Sequence, residues 1–339
     1  MLTRFLSVSI LDMAVDQKTS GIADIATYLP EKVIGNDELI ERFDFDPAFL
    51  ENKIGVKERH VAAADESVSD MAVQAAQTLL IRNPEAQQKI GVILLCTQNP
   101  DYRLPTTANL VQDRLGLPTN IQAVDINQGC SGFIYGLSIA SALVQAHQLE
   151  AALLITADAY SKVMDPDDRN TAPLFSDGAA ATLMTPDGTA KIGAFSFGSD
   201  GSGANDLIVR AGGSRYPDKP ISGDDALHMD GRAVFEFMLN RVPSDVDNCL
   251  ARNGLDRSEI DLFIFHQASR FMLETLTRRM HLEPDRVPIC MENFGNTVSA
   301  TIPMTIEHLG GIDALRKKTV LLSGFGVGLS WGSTVLKLD

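Results

Sequence analysis

Ile90-Gly91-Val92-Ile93-Leu94-Leu95-Cys96-Thr97-Gln98-Asn99 is an apolar run that ends on polar residues. Ile260-Asp261-Leu262-Phe263-Ile264-Phe265-His266-Gln267-Ala268-Ser269 has the same form far along the chain. A run that is apolar at nearly every position reads as a strand buried on both faces, in a sheet covered by helices on either side. Two further pairs follow in the same order. "AALLITADAY" at 151–160 resembles "TVLLSGFGVG" at 319–328, and "GAAATLM" at 178–184 resembles "WGSTVLKL" at 331–338. Each match is short, but their common order implies a duplicated α/β unit, because unrelated domains would share no order.

Strands are expected at Ala151–Thr156 and Ala179–Met184. A helix is expected over Met71–Leu80, with Ser67 as its N-cap and Asp70 three residues on. This alternation is the α/β pattern. The expected division is an N-terminal half, 21–195, and a C-terminal half, 196–339. Residues 1–20 read as a loose extension. Arg4 precedes the short apolar stretch Phe5–Leu11, but Asp12 interrupts it and no small-residue cleavage site follows. The Gly-, Ser- and Pro-containing stretch Gly198–Asp225 reads either as a lid or as a surface connection.

Hydrophobic residues make up 45% of the 339, and no apolar run reaches membrane-spanning length, so a soluble globular protein is expected. A net charge of −15 argues against a nucleic-acid partner. The four cysteines, Cys96, Cys130, Cys249 and Cys290, form no CxxC pair, which suits a reducing, cytoplasmic setting. No cluster has zinc-ligand spacing. Asp165-Pro166-Asp167-Asp168-Arg169 lacks the alternation and central Gly of a calcium loop and reads as a turn.

The chemistry centres on Val124-Asp125-Ile126-Asn127-Gln128-Gly129-Cys130-Ser131-Gly132. An apolar run ends at a polar corner, and a small-residue helix, expected through Ser138–Gln145, follows. A thiol at the first turn of a helix meets unpaired N–H groups and the positive end of the helix dipole, which favour the nucleophilic thiolate. The competing reading is a buried small hydrophobe. His266 closes an apolar strand, at the end where α/β sheets place ligands and catalysts, or else it is a satisfied core histidine. Asn296, in Asn293-Phe294-Gly295-Asn296-Thr297, is a turn residue or an amide donor aimed at an oxyanion. Gly324-Phe325-Gly326-Val327-Gly328 opens into a strand rather than a helix. That excludes a dinucleotide loop and leaves a tight turn with bare backbone beside a substrate.

Taken in order, Cys130, His266 in "FHQAS", Asn296 in "NFGNTVSATIP" and "GFGVGLSWGS" resemble the type III β-ketoacyl-acyl-carrier-protein synthases of the thiolase superfamily. "YLPEKVI", "IGVKERH", "DPDDRNT", "FSDGAAA", "SDGSGA" and "MDGRAVFEF" match in the same order, from residue 21 onward. The resemblance implies a thiolase-type five-layer αβαβα sandwich of two pseudo-duplicated halves, assembled as a homodimer. It implies that Cys130 takes an acyl group from CoA or a carrier protein, with the N–H groups of Cys130 and Val327 holding the oxyanion. A malonyl thioester then loses CO2, and His266 and Asn296 stabilise its enolate, which attacks the acyl group. No metal and no further cofactor is implied.

The same resemblance implies substrate contacts for Phe49, Lys53, Leu104, Arg169, Phe175, Ser269 and Arg270, and carrier docking by Arg278 and Arg279. Several positions depart from the pattern. Phe49 stands where a Trp is usual, Ser269 where "HQAN" has Asn, Arg270-Phe271 where the pattern has Leu and then Arg, and Glu236 where Lys is frequent. Leu104 matches a position that the dimer mate contributes to the acyl pocket. The alternative within this fold is acyl transfer to a hydroxyl or amine; intact Cys, His and Asn favour carbon–carbon bond formation. A hydroxymethylglutaryl-type synthase would need a Glu where Thr97-Gln98-Asn99 stands. A papain-like hydrolase disagrees with the repeat, and an inactive partner subunit disagrees with the retained Cys and His.

Overall fold

The computed structural model describes residues 20–338, so the expected extension, apart from Ser20, lies outside the described residues. Nine strands form one mixed sheet. They are β1 (Gly21–Tyr28), β2 (Ile90–Cys96), β3 (Gln122–Ile126), β4 (Ala151–Asp158), β5 (Gly178–Thr185), β6 (Ala190–Ser199), β7 (Leu262–Phe265), β8 (Thr319–Gly326) and β9 (Ser330–Leu338). The spatial order is β7-β8-β9-β6-β1-β5-β4-β2-β3. It divides into half-sheets β3-β2-β4-β5-β1 and β7-β8-β9-β6, joined by only two residue pairs, Gly21↔Lys191 and Ile22↔Ala190.

The repeat is realised in three dimensions. β2 and β4 are parallel, then β5 and β1 run antiparallel. β7 and β8 are likewise parallel, then β9 and β6 run antiparallel. The three matched sequence pairs are therefore β2 with β7, β4 with β8 and β5 with β9. Strand β6 runs without a break across the expected 195/196 division.

Helices α1 (Val68–Arg82), α2 (Thr107–Arg114), α3 (Gly132–Ala146), α4 (Gly231–Asn253), α5 (Arg270–Arg279) and α6 (Thr301–His308) form three layers around the half-sheets. The expected capping box starts α1: Ser67 Oγ accepts the Asp70 N–H at 3.4 Å, and Asp70 accepts the Ser67 N–H at 2.7 Å. Outside the first half-sheet, Met71, Ala75 and Leu79 of α1 meet Ile93, Leu95, Leu153 and Ile155. Between the half-sheets, Phe133 and Leu137 of α3 and Ile302 and Ile306 of α6 meet Val92, Leu94, Ile264 and Leu322. Outside the second half-sheet, Met238 and Val242 of α4 and Leu273 and Leu276 of α5 meet Phe263, Phe265 and Leu321. Alternate residues of one strand thus feed different helix layers, as a period of two requires. Each of the Val, Leu, Ile, Met and Phe side chains among them contributes roughly 1.5–3 kcal/mol. This is the five-layer thiolase-type sandwich.

The central layer positions the site. Both α3 and α6 lie between the half-sheets, and their N-termini follow the segments that carry Cys130 and Asn296. The stretch Gly198–Asp225 forms a short strand, Leu207–Val209, paired with Leu227–Met229.

Candidate active site

Cys130, Asp158, His266 and Gly326 all lie at or just beyond the C-terminal ends of β3, β4, β7 and β8. Parallel strands end there with outward-facing loops, so side chains from both halves meet. Cys130 precedes α3 and is 4% exposed. The end of β8 lies against it: a Cβ on Gly326 would stand 2.7 Å from Cys130 Cβ and 2.9 Å from its Sγ. The glycines at 324 and 326 are therefore the condition for bringing the Val327 backbone to the thiol. The backbone N–H groups of Val327 and of Cys130 itself lie near the sulfur and favour its charged form.

The helix start expected to favour a thiolate is present, but it does not prevail. Burial pushes the Cys130 thiol up to about 12, the nearby Asp158 carboxylate adds to the rise, and the two N–H groups oppose it. Desolvation of a charge in a closed core outweighs a half-charge dipole. The resting Cys130 side chain is a thiol.

His266 continues the ladder of β7, with its N–H donating to Ser323 O at 2.9 Å. Its ring meets Phe325 edge-on, with centroids 5.7 Å apart, so the consecutive residues Phe325 and Gly326 touch His266 and Cys130 respectively. Nδ1 lies 2.7 Å from Thr301 Oγ1, at the start of α6. Burial lowers the imidazole to about 3, so it stays neutral across the physiological range.

Asn296 is held by the N-terminal half. Its N–H donates to Leu174 O at 3.0 Å, and its carbonyl accepts the Ser176 N–H at 3.0 Å. The side-chain Oδ1 accepts the Val298 N–H at 3.0 Å. That leaves the two Nδ2 hydrogens as the groups available to a substrate. Val298 itself has φ +56°. A β-branched residue in the left-handed region is strained, and such outliers persist where the surroundings over-determine the backbone.

Asp158, Thr301, Gln98 and Tyr160 escaped the sequence reading as site residues. Asp158 is fully buried and is pushed up to about 7 by burial. It accepts the Gln98 N–H at 2.8 Å and the Ser299 hydroxyl at 2.5 Å. The available signal was a lone carboxylate closing the all-apolar run "AALLITAD". Beside Cys130 lies a cavity of about 860 Å³, whose lining includes Val327, Gln98, Tyr160, Leu207, Val209 and Leu227. Gly198–Asp225, read as lid or connection, supplies part of its wall.

The other candidates lie around this centre in several places. Phe175 is buried and packs on Tyr160, with centroids 5.0 Å apart. Phe49 is half-exposed and stacks on Phe45 at 5.8 Å, while the Arg169 guanidinium lies over Phe45 at 5.1 Å. Lys53 Nζ sits 4.2 Å above the Phe271 ring, which stacks on Phe235. Ser269 caps α5, accepting the Met272 N–H at 3.3 Å. Arg270 is ion-paired with Glu292 at 2.7 Å, so its guanidinium is engaged within the chain. Arg278 and Arg279 are in the last turn of α5, with Arg278 donating to Thr275 Oγ1 at 3.0 Å. Leu104 is 83% exposed. The Asp165–Arg169 acids serve a turn, as expected: Asp165 Oδ1 accepts the Asp167 N–H and Asp168 Oδ1 accepts the Asn170 N–H, both at 2.9 Å. Among the described residues, no three His, Cys, Asp or Glu side chains gather as metal ligands.

Residues 124–201 match the family described as 3-oxoacyl-[acyl-carrier-protein] synthase III, and residues 250–338 match its C-terminal model. The β-ketoacyl-[acyl-carrier-protein] synthase III of Deinococcus deserti is 36% identical over 322 residues, covering 94% of this chain and 91% of that one. The chain belongs to the synthase III family. A crystal structure of a 3-oxoacyl-(acyl-carrier-protein) synthase III superposes with a TM-score of 0.91 at 41% identity, covering 94% of this chain and 100% of the other. The Thermus thermophilus synthase III gives 0.86 at 35% identity, over 94% and 99%. The first family segment contains Cys130 and Asp158; the second contains His266, Asn296 and Val327. The two matched segments thus carry the residues that the fold brings together from its two halves.

Proposed function

We propose that this synthase III condenses an acyl thioester with a malonyl thioester, with Cys130, His266 and Asn296 as its catalytic residues. In the first step a bond forms between Cys130 Sγ and the acyl carbon, and the donor's carbon–sulfur bond breaks. The Cys130 proton leaves with the departing thiol. The N–H groups of Cys130 and Val327 hold the oxyanion.

In the second step the malonyl carboxylate leaves as CO2, and its bonding pair becomes an enolate. Asn296 Nδ2–H and His266 Nε2–H donate to the enolate oxygen. The carbanion attacks the acyl-Cys130 carbonyl, and the Cys130 thiolate leaves and regains a proton from solvent. A neutral imidazole suits this role, because it donates a hydrogen bond without a buried cation's desolvation cost. In this tautomer Nδ1 accepts from the Thr301 hydroxyl, which turns its proton from Val298 O, 3.3 Å away, to the ring.

The observation that carries the reading is the Asn296 side chain: Val298 N–H occupies its oxygen, so the nitrogen is the end offered. An enolate wants donors, and so this site differs from a general-base site. Asn296→Ala should abolish condensation while intact mass still shows Cys130 acylation. Condensation at the normal rate by that variant would overturn the assignment.

Acyl-CoA or acyl-carrier donors, and Arg278 and Arg279 as the docking pair, follow the same reading. A homodimer is supported by the exposed Leu104 and Tyr102 and by Val124 on the edge strand β3. Four free, buried cysteines suit a cytoplasmic setting.

A further inference from the structure

Tyr160 and Gln98 form a polar pair in the wall of the cavity beside Cys130. Tyr160 is buried, and its hydroxyl donates to Gln98 Oε1 at 2.5 Å. The ring is held by Phe175 and belongs to the same apolar cluster as Cys130, Leu207 and Leu227. Gln98 Oε1 lies beside the nucleophile's own loop, since a Cβ on Gly129 would stand 2.5 Å from it and 2.3 Å from Val327 Cγ1. The Gln98 backbone is fixed as well, its N–H donating to Asp158. With Oε1 taken by the tyrosine, the amide presents Nε2 as its free end. Its partner Asn127 Oδ1 is 3.5 Å away, the outer limit of a hydrogen bond.

The Cys130 end of the cavity is walled by Leu207 and Leu227, which share its apolar cluster, and by Val327, while the wider lining also holds Asp101, Arg103 and Lys162. A plain alkyl chain entering it would strip water from Nε2 and return nothing. An acyl group carrying an oxygen near the thioester would replace that water. A buried donor left unpaired loses its full solvation, which is why sites built with a polar group reject the analogue that lacks one.

We infer that Gln98, oriented by Tyr160, makes this enzyme select acyl groups that carry a hydroxyl or keto oxygen over alkyl groups of the same length. The inference rests on the acyl-Cys130 reading above and names its substrate class.

The test compares Cys130 acylation by butyryl-CoA and 3-hydroxybutyryl-CoA, followed by intact mass over time on the full chain. The hydroxylated donor should acylate about tenfold faster, the ratio set by one unpaired buried amide. In Gln98→Leu the ratio should fall to about one or invert, and Tyr160→Phe should reduce it by freeing the amide to turn. Gln98→Met, of matching length, serves as the second variant if Gln98→Leu loses its fold by circular dichroism. Equal or faster acylation by butyryl-CoA in the unmodified enzyme, or a ratio unmoved in the Gln98 variants, overturns the selectivity alone. No acylation by either donor overturns the nucleophile reading and this one together.

Discussion

Asp158 accepts the hydroxyl of Ser299 at 2.5 Å, a hydrogen bond that crosses from the last residue of β4 in one half to the turn before α6 in the other. Asn296 stands at the start of that turn, and Thr301, beside His266, follows it as the first residue of α6. The backbone strain at Val298 lies in the same turn. A carboxylate with two N–H donors and one hydroxyl holds the turn in a conformation its own residues disfavour.

Replacing Asp158 by Asn keeps the shape and weakens that hold. Condensation should fall by about 100-fold, the cost of a misplacement of about 1 Å, while Cys130 acylation falls much less. Stopped-flow acylation and steady-state condensation on the same preparation separate the two. An equal loss in both steps would show that Asp158 acts on the thiol rather than on the turn.

Stability should respond to Asp158 and His266 in opposite directions. Asp158 is raised from 3.8 to about 7, so between those values the native state holds a proton that the unfolded chain has lost. Stability from this group therefore falls as pH rises through that window. His266 is lowered from 6.5 to about 3, so the unfolded chain binds the proton first, and stability falls as pH drops from about 6.5 toward 3. Urea unfolding across pH should show Asp158→Asn gaining on the unmodified protein as pH rises, and His266→Gln gaining as pH falls. Parallel profiles for all three would contradict both shifts.

Thr301→Val removes the hydroxyl beside His266 Nδ1 and preserves side-chain volume. The ring should then adopt the other tautomer, with Nε2 bare. Condensation should drop by at least about tenfold with acylation intact, and Thr301→Ser should restore it. Nitrogen-15 chemical shifts of the His266 ring report the tautomer directly. An Nδ1–H tautomer in the unmodified enzyme would exclude this role for Thr301.

The Cys130 thiol is raised to about 12. Its alkylation by iodoacetamide should therefore climb about tenfold per pH unit from about pH 6 to 10, without a plateau. Saturation near neutrality would instead mean that the helix dipole outweighs burial.

Gly326→Ala places a methyl group on the thiol, 2.9 Å from Sγ. Acylation should fall by about 100-fold, because either the sulfur or the Val327 N–H must shift. Circular dichroism should stay native, since the strain is confined to the end of β8. Normal acylation would separate Val327 from the oxyanion site.

Local pattern was enough for the repeat. Runs such as Ile90–Cys96 and Leu262–Phe265 are apolar on both strand faces, a property that depends on neither half's partner, so their pairing across the chain was readable. The set Cys130, His266 and Asn296 was readable only through the resemblance of several colinear motifs, since Asn296 by itself reads as a turn residue. The ionisation of Cys130 was not. Its helix start is local, but its burial comes from β8, nearly two hundred residues later, and desolvation depends on everything packed around a group rather than on its neighbours in sequence. Asp158 lies just past the expected strand Ala151–Thr156, and nothing near it in sequence announces Ser299, just as nothing near Gln98 announces Tyr160. Residue order determined which groups could do chemistry. The packing of one half against the other decided their protonation, the end of each amide they present, and the cavity they face, because solvation and hydrogen-bond partners are set by contacts that sequence distance does not encode.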